Sequence, residues 1–285
     1  MKTNLIIVLL FCMMVSGSIQ AQTKLLNVPV QMKDTLGYSK IRCLYEQYIM
    51  TDTLNPQKLT KELMYLQISE EISKYMSYSI FHRDSLIADD RKKGNNVDVV
   101  DAVKNGRYQS SATDQSLLFK NFPKQKNTSH RRLAYDSYVY EEDIVKPVWK
   151  IEKEKTTILE YSCTKATTTF CGRNYTVWFS PDIPVSDGPW KFVGLPGLIL
   201  RACDDKGQVT FECVQISKVS WPDPIVKPHL TRSTIKTTKN DFYKKAKQFS
   251  DNPSGVINNS TRRVTTTASK RILQKIPYNP VEILE

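Results

Sequence analysis

Cysteine and histidine are the side chains in this chain best suited to nucleophilic or metal chemistry, and it holds six of the first and three of the second. A Cys–His pair becomes a nucleophile when the imidazole takes the thiol proton. His82, His130 and His229 lie far apart, however, and none sits in a ligand-spaced motif. There is no H-E-x-x-H, no G-x-S-x-G, no phosphate-binding glycine loop and no C-x-x-C. Asp204-Asp205 could suggest a carboxylate site, but Lys206-Gly207 follows at once and the four residues read as a hairpin turn. No ligand set suits a metal and no motif suits an organic cofactor, so the expectation is no cofactor and no catalytic residue. A hydrolase with a site assembled from distant residues is the enzymatic alternative.

The start of the chain bears on the thiols. Lys2, the apolar run 5–15 and Ile19-Gln20-Ala21 have the form of an export signal cleaved after Ala21. The run is too short to span a bilayer, and no later segment approaches that length. The expected organisation is therefore a signal peptide, 1–21, and one β-rich domain, 22–285, whose basic tail from about 250 is mobile or packs as a last short segment. The expected location is the periplasm, the outer-membrane surface or the medium. Those compartments oxidise thiols. Cys163, Cys171, Cys203 and Cys213 are the candidate bridge partners; with Cys43 the number is odd, which leaves one thiol free or paired between chains. A turn at 204–207 sets Cys203 opposite Val209 or Thr210, too far from Cys213 for a simple bridge. Cys163 with Cys203 or Cys213 is equally open.

The formal net charge is +12. The basic residues fall in short clusters, at 91–93, 130–132, 244–245, 262–263 and 270–271, with no nucleic-acid motif or stacking aromatics beside them. They read as solvated surface. A functional patch would meet anionic lipid headgroups or acidic glycans at a membrane surface, and nucleic acid is not an expected partner.

The elements that must position any site are mostly strands. Residues 40–50 alternate in period two, and 62–69 and 73–78 follow as strands. Residues 81–93 read either as a helix capped by Asp84 or Ser85 and ended by Gly94, or as a charged loop. Strand composition returns at 117–119, 135–141, 149–152, 157–169 and 175–179. Segments 198–203 and 208–217 form the clearest hairpin. Thr238 can cap a helix from 239 or 240 to 249, which Asn252-Pro253-Ser254-Gly255 stops. The predicted fold is α+β, mainly β: a curved antiparallel sheet or half-open barrel with one or two helices.

Residues 188–200 read GPWKFVGLPGLIL. Pro196-Gly197 fits positions i+1 and i+2 of a type II turn, with Gly197 taking the positive φ. Asp187-Gly188-Pro189 is a second tight turn. Trp190 and Phe192 flank Lys191 as one aromatic face of a short strand, and Leu198-Ile199-Leu200 has the density of a strand buried on both sides. These residues specify a rigid corner more clearly than a reaction. In a functional reading the two turns line an apolar cleft, with Trp190 and Phe192 as its wall.

The core of that segment, Gly194, Leu195, Pro196, Gly197, Leu198 and Ile199, resembles the motif of the GLPGLI family of exported Bacteroidetes proteins. Cys163-Thr164-Lys165-Ala166, Gly172-Arg173, Trp178-Phe179 and Asp182-Ile183-Pro184 are similar to its flanks, whereas Val193 stands where the family more often has glycine. The resemblance covers 149–216 and implies an exported envelope protein without an established activity. It also makes Cys163 the thiol of most interest, although a strand position favours burial, which keeps a thiol protonated. Three triplets, at 34–36, 52–54 and 84–86, resemble the Asp-Ser/Thr-Leu acceptor of O-glycosylation in such proteins. The functional expectation is a non-catalytic envelope protein that binds an apolar or anionic ligand, or an envelope partner, in the concavity of its sheet. A structural subunit of an envelope assembly is the third reading.

Overall fold

The structure, a computed structural model, describes residues 35–95, 112, 114–227, 234–258 and 275–283. The export segment, His229 and the basic clusters at 262–263 and 270–271 lie outside them. The strands in chain order are β1 (Thr35–Tyr38), β2 (Ile41–Met50), β3 (Leu59–Ile68), β4 (Ser73–Ser77), β5 (Leu117–Lys120), β6 (Lys126–Leu133) and β7 (Asp136–Asp143). They continue as β8 (Lys150–Ile158), β9 (Tyr161–Phe170), β10 (Arg173–Ser180), β11 (Leu198–Asp204), β12 (Val209–Lys218), β13 (Pro224–Val226) and β14 (Thr234–Lys236). Three helices are described: α1 (Tyr78–Lys92), α2 (Lys239–Asp251) and α3 (Pro253–Asn258).

Twelve strands make one open sheet in the order β14-β7-β6-β5-β4-β3-β2-β12-β11-β10-β9-β8, while β1 and β13 pair separately. Every neighbour in the large sheet is antiparallel except β14, which runs parallel to β7. Two meanders, β2–β7 and β8–β12, are joined where β12 pairs with β2. The fold is thus α+β and mainly β with an open curved sheet, as the residue pattern predicts.

Register assigns the two faces, because side chains alternate along each strand. Tyr45, Met64, Tyr75, Leu118, Val177, Ala202, Val209 and Phe211 share one face, here termed inner, and belong to the main buried cluster. Tyr65 lies on the outer face, where it meets Tyr78 and Phe81 of α1.

The structure corrects several local expectations. β6 was not anticipated at all. Residues 157–169 are two strands, because Leu159 and Glu160 both adopt positive φ, +48° and +68°, and turn the chain. Two consecutive residues of that kind match the tight turn whose twist suits a hairpin. α1 forms, but it starts at Tyr78 after Ser77, without a side-chain cap. α2 stops at Asp251, before Asn252-Pro253, and a short separate helix, α3, follows. α2 starts where expected: Thr238 Oγ1 accepts from Asp241 N at 3.1 Å. Thr238→Ala should lower stability by about 1 kcal/mol, seen as an earlier urea midpoint with unchanged slope.

Candidate functional site

Three segments close most of the inner face. The first is loop 181–197. Its hydrogen bonds bring the chain back on itself: Leu198 N donates to Ile183 O at 3.0 Å and Ile199 N to Asp187 O at 2.9 Å. Asp187 anchors the loop through Lys120 Nζ and Ser73 Oγ. Trp190 and Phe192 do not form a strand. Trp190 takes a positive φ of +50°. Phe192 is fully buried, edge-on to Tyr175 at 4.9 Å and to Phe211 at 6.0 Å between ring centroids.

The turn chemistry of this loop differs from expectation. Gly194 has the positive φ, +99°, and Gly197 does not. Gly197 is needed for another reason: a β-carbon there would lie 2.6 Å from the carbonyl carbon of Ser180 and 2.9 Å from Pro181 N. Glycine here allows two backbone segments to touch. Leu195, Leu198 and Ile199 are buried in the same core, and Pro196 leads into them.

The second cover is α2. Phe242 packs on Tyr138 and Tyr140 of β7, with ring centroids 5.7 and 5.6 Å apart. The third is segment 275–283. Arg173 donates to Asn279 Oδ1 at 2.6 Å and to Pro280 O at 2.8 Å, and it pairs with Asp204 at 2.7 Å. Asp204 is therefore a buried structural carboxylate; its other oxygen accepts from Gln208 N and Val209 N. Lys191, on the loop, pairs with Glu142 of β7 and Glu282 of the terminal segment, both at 2.5 Å. Lys239 Nζ reaches Glu282 at 2.9 Å, and Tyr243 donates to it at 3.2 Å. Burial opposes the charge on Lys191, but Glu282 and Glu142 outweigh it and hold its pKa above the usual lysine value. Burial likewise opposes ionisation of Glu282, and its two lysines prevail, so its pKa lies below the usual carboxylate value. Segment 275–283 packs on the sheet through these contacts.

What these covers leave open is a cleft of about 520 Å³ over β2, β3 and β6. Its walls include Gln47, Glu62, Asp114, Arg131, Arg132 and Asn279. A narrower extension of about 30 Å³ runs inward to Tyr75, Tyr140, Tyr243, Trp190 and Lys191. Register sets Gln47 directly opposite Glu62. Gln47 Nε2 donates to Asp114 Oδ2 at 3.2 Å, and Ser77 Oγ donates to Glu62. Two acids from different strands and loops thus flank one amide. Of the eight motif residues singled out in the sequence, Trp190 borders this space, at its inner end, and the other seven stand apart from it, while Arg131 and Arg132 come from the basic cluster at 130–132 that reads as solvated surface. The cleft residues themselves carry no catalytic or ligand-spaced motif; period-two alternation along 40–50 is the signal that places Gln47 on this face.

The cysteines are not bridged: Cys43, Cys163, Cys171, Cys203 and Cys213 are all free thiols in this structure. Cys203 does stand opposite Thr210, as expected, which removes Cys213 from its reach. Cys163 is fully buried on β9, and burial pushes its thiol up to about 11. Cys171, at the β9–β10 turn, is raised to about 12, by burial first and then by Glu282. Neither has the lowered pKa of a nucleophilic cysteine. Burial lowers His130, on the outer face of β6, to about 4. Among the described residues no helix is long and apolar enough to cross a membrane.

Fold and cleft together define a β-rich protein with an open twelve-stranded sheet and a polar cleft on its inner face. The family model described as a protein of unknown function (Porph_ging) matches residues 171–201, the stretch from the β9–β10 turn through the loop into β11. No curated protein matches. Two solved structures, of PNGF-II in the P21 and C2 space groups, are similar at TM-scores of 0.46 and 0.43 and 13% identity. Each comparison covers 72% of this chain and 32% of the other, so the chain spans about a third of their length.

Proposed function

We propose that this is an exported binding protein that holds a small polar ligand in the inner-face cleft. One observation carries the reading: the wide part of the inner face left open is lined by carboxylates, guanidinium groups and amides beside a few aliphatic residues, and Trp190 meets only its narrow inner end. A cavity of that size suits a small molecule held by a few placed polar groups. The ligand class therefore moves from apolar to polar. Export and the treatment of 22–285 as one domain rest on the N-terminal segment and on the unbroken sheet. The GLPGLI resemblance across 149–216 is kept as part of the proposal, supported by the match at 171–201.

Native mass spectrometry of protein purified from its own source tests the reading. The wild type should carry a small polar molecule, and Thr60→Trp, which puts a large ring on the cleft wall, should lose about nine-tenths of it at nearly unchanged melting temperature. Full retention by Thr60→Trp would place the ligand elsewhere. A second reading, hydrolysis, is favoured by Glu62 and Asp114 flanking Gln47, since paired carboxylates serve acid–base chemistry. A ligand cleaved by wild type but intact with Glu62→Gln would select it.

A further inference from the structure

We infer that the ligand of this cleft bears an oxyanion, a carboxylate, phosphate or sulfate, and that Arg131 is the residue that docks it. The inference rests on the binding reading above and adds the chemical class.

Arg131 is on β6 and points to the inner face, where it lines both the wide cleft and its inward extension. Its guanidinium lies over the ring of Phe242, 5.7 Å from the centroid. Among the described residues it makes no hydrogen bond and no salt bridge, although it is half buried. The other inner-face cations behave differently: Lys120 pairs with Asp187, Arg173 with Asp204, and Lys191 with Glu142 and Glu282. Arginine carries five N–H donors in a planar fork that matches the two oxygens of a carboxylate or phosphate. Beyond its cation–π contact with Phe242, that fork has donors to spare, and a ligand oxyanion would take two of them as charge-assisted hydrogen bonds.

Two nearby acids take their hydrogen bonds from other residues. Asp114 accepts from Gln47 and from Ser116 N, and Glu282 accepts from Lys191, Lys239 and Tyr243. Desolvation opposes the guanidinium charge, yet Tyr243, Asp114, Tyr140 and Glu282 outweigh it and hold the charge in place. Thr51, Thr60 and Gln115 also line the cleft and present hydroxyl and amide groups to the rest of the ligand. They fit hydroxyl or amine groups, so the class is a small hydroxylated acid or phosphate ester.

The test is a ¹⁵N–¹H titration of the full chain, following the Arg131 side chain and the Ser116 amide. The probes are glucuronate, glucose 6-phosphate and glucose, with sodium chloride as the ionic-strength control. At least one anionic sugar should shift both signals saturably and bind about tenfold tighter than glucose. Whichever of the two binds tighter identifies the oxyanion. Arg131→Gln should erase the margin, and Arg131→Lys, which keeps the charge but not the fork, should retain part of it. Glucose binding as tightly as both anions overturns the inference and leaves the polar-cleft reading intact. No saturable shift at Arg131 from either anion also overturns it, and the native-mass experiment then judges the cleft by itself. A margin that survives Arg131→Gln with unchanged melting temperature assigns the anion to another residue.

Discussion

Gly197→Ala should lose about 3 kcal/mol or more of folding stability, a large share of what a domain has. The added methyl would meet the carbonyl carbon of Ser180 at 2.6 Å and Pro181 N at 2.9 Å, and the carbonyl oxygen closer still. Those atoms cannot give way as a flexible side chain would. Ser180 pairs with Leu198 across β10 and β11, and its hydroxyl donates to Ser162 O at 2.9 Å. Relief therefore requires β10 and β11 to part at the point where the loop leaves the sheet. Urea unfolding is the measurement, with Gly194→Ala as the comparison. At Gly194 the nearest atom to a new β-carbon is Trp149 Nε1 at 3.4 Å, an ordinary contact, and the φ of +99° is the sole penalty. That substitution should cost about 1–2 kcal/mol. Equal losses at the two positions would contradict the close-approach argument.

Lys191→Met should cost about 3–5 kcal/mol near neutral pH, because it strands Glu142 and Glu282 as like charges in a nearly dry site. Lys239 remains beside them, at 3.2 and 2.9 Å, but it is a third exposed and cannot replace the buried cation. The pH dependence follows from the direction of the shifts. In the wild type Glu282 titrates below its unfolded value. Its contribution is thus present above the ordinary carboxylate range near pH 4.3 and is lost as pH falls through the lower folded value. Without Lys191 the Glu282 carboxyl titrates higher, so acid relieves the variant while it weakens the wild type. The gap between the two melting temperatures should narrow steadily from pH 7 to about pH 4. A constant gap would mean that the lysine stem matters for packing and its charge does not. Because Glu282 ties down 275–283, hydrogen exchange at Asn279 and Val281 should rise in the variant.

The residues themselves explain why some of this was legible in the sequence and some was not. The β11–β12 hairpin and the α2 cap were readable because their signals are local: dense apolar alternation around a Gly207 turn, and a threonine three residues before an aspartate. β6, with Asn127-Thr128-Ser129-His130-Arg131-Arg132, was not readable, because the inner face it presents is the floor of a polar cleft and supplies no apolar period. The same run looked like solvated charge, yet neighbours on a strand point oppositely. His130 turns outward towards Phe119, and Arg131 turns inward under Phe242. Gly197 was assigned a positive φ from a turn template, and the structure gives it a steric role instead.

By itself, then, the sequence determined the β-rich class, the main hairpins, the capped helix and the rigidity of the Gly194–Ile199 corner, all set by interactions a few residues apart. Only the tertiary structure decided which part of the inner face closes and which stays open. That outcome depends on contacts such as Lys191 with Glu282 and Arg173 with Asn279, whose partners lie about a hundred residues apart. Pairing across such a distance is selected by burial and register in the assembled sheet, and neither is written in local spacing.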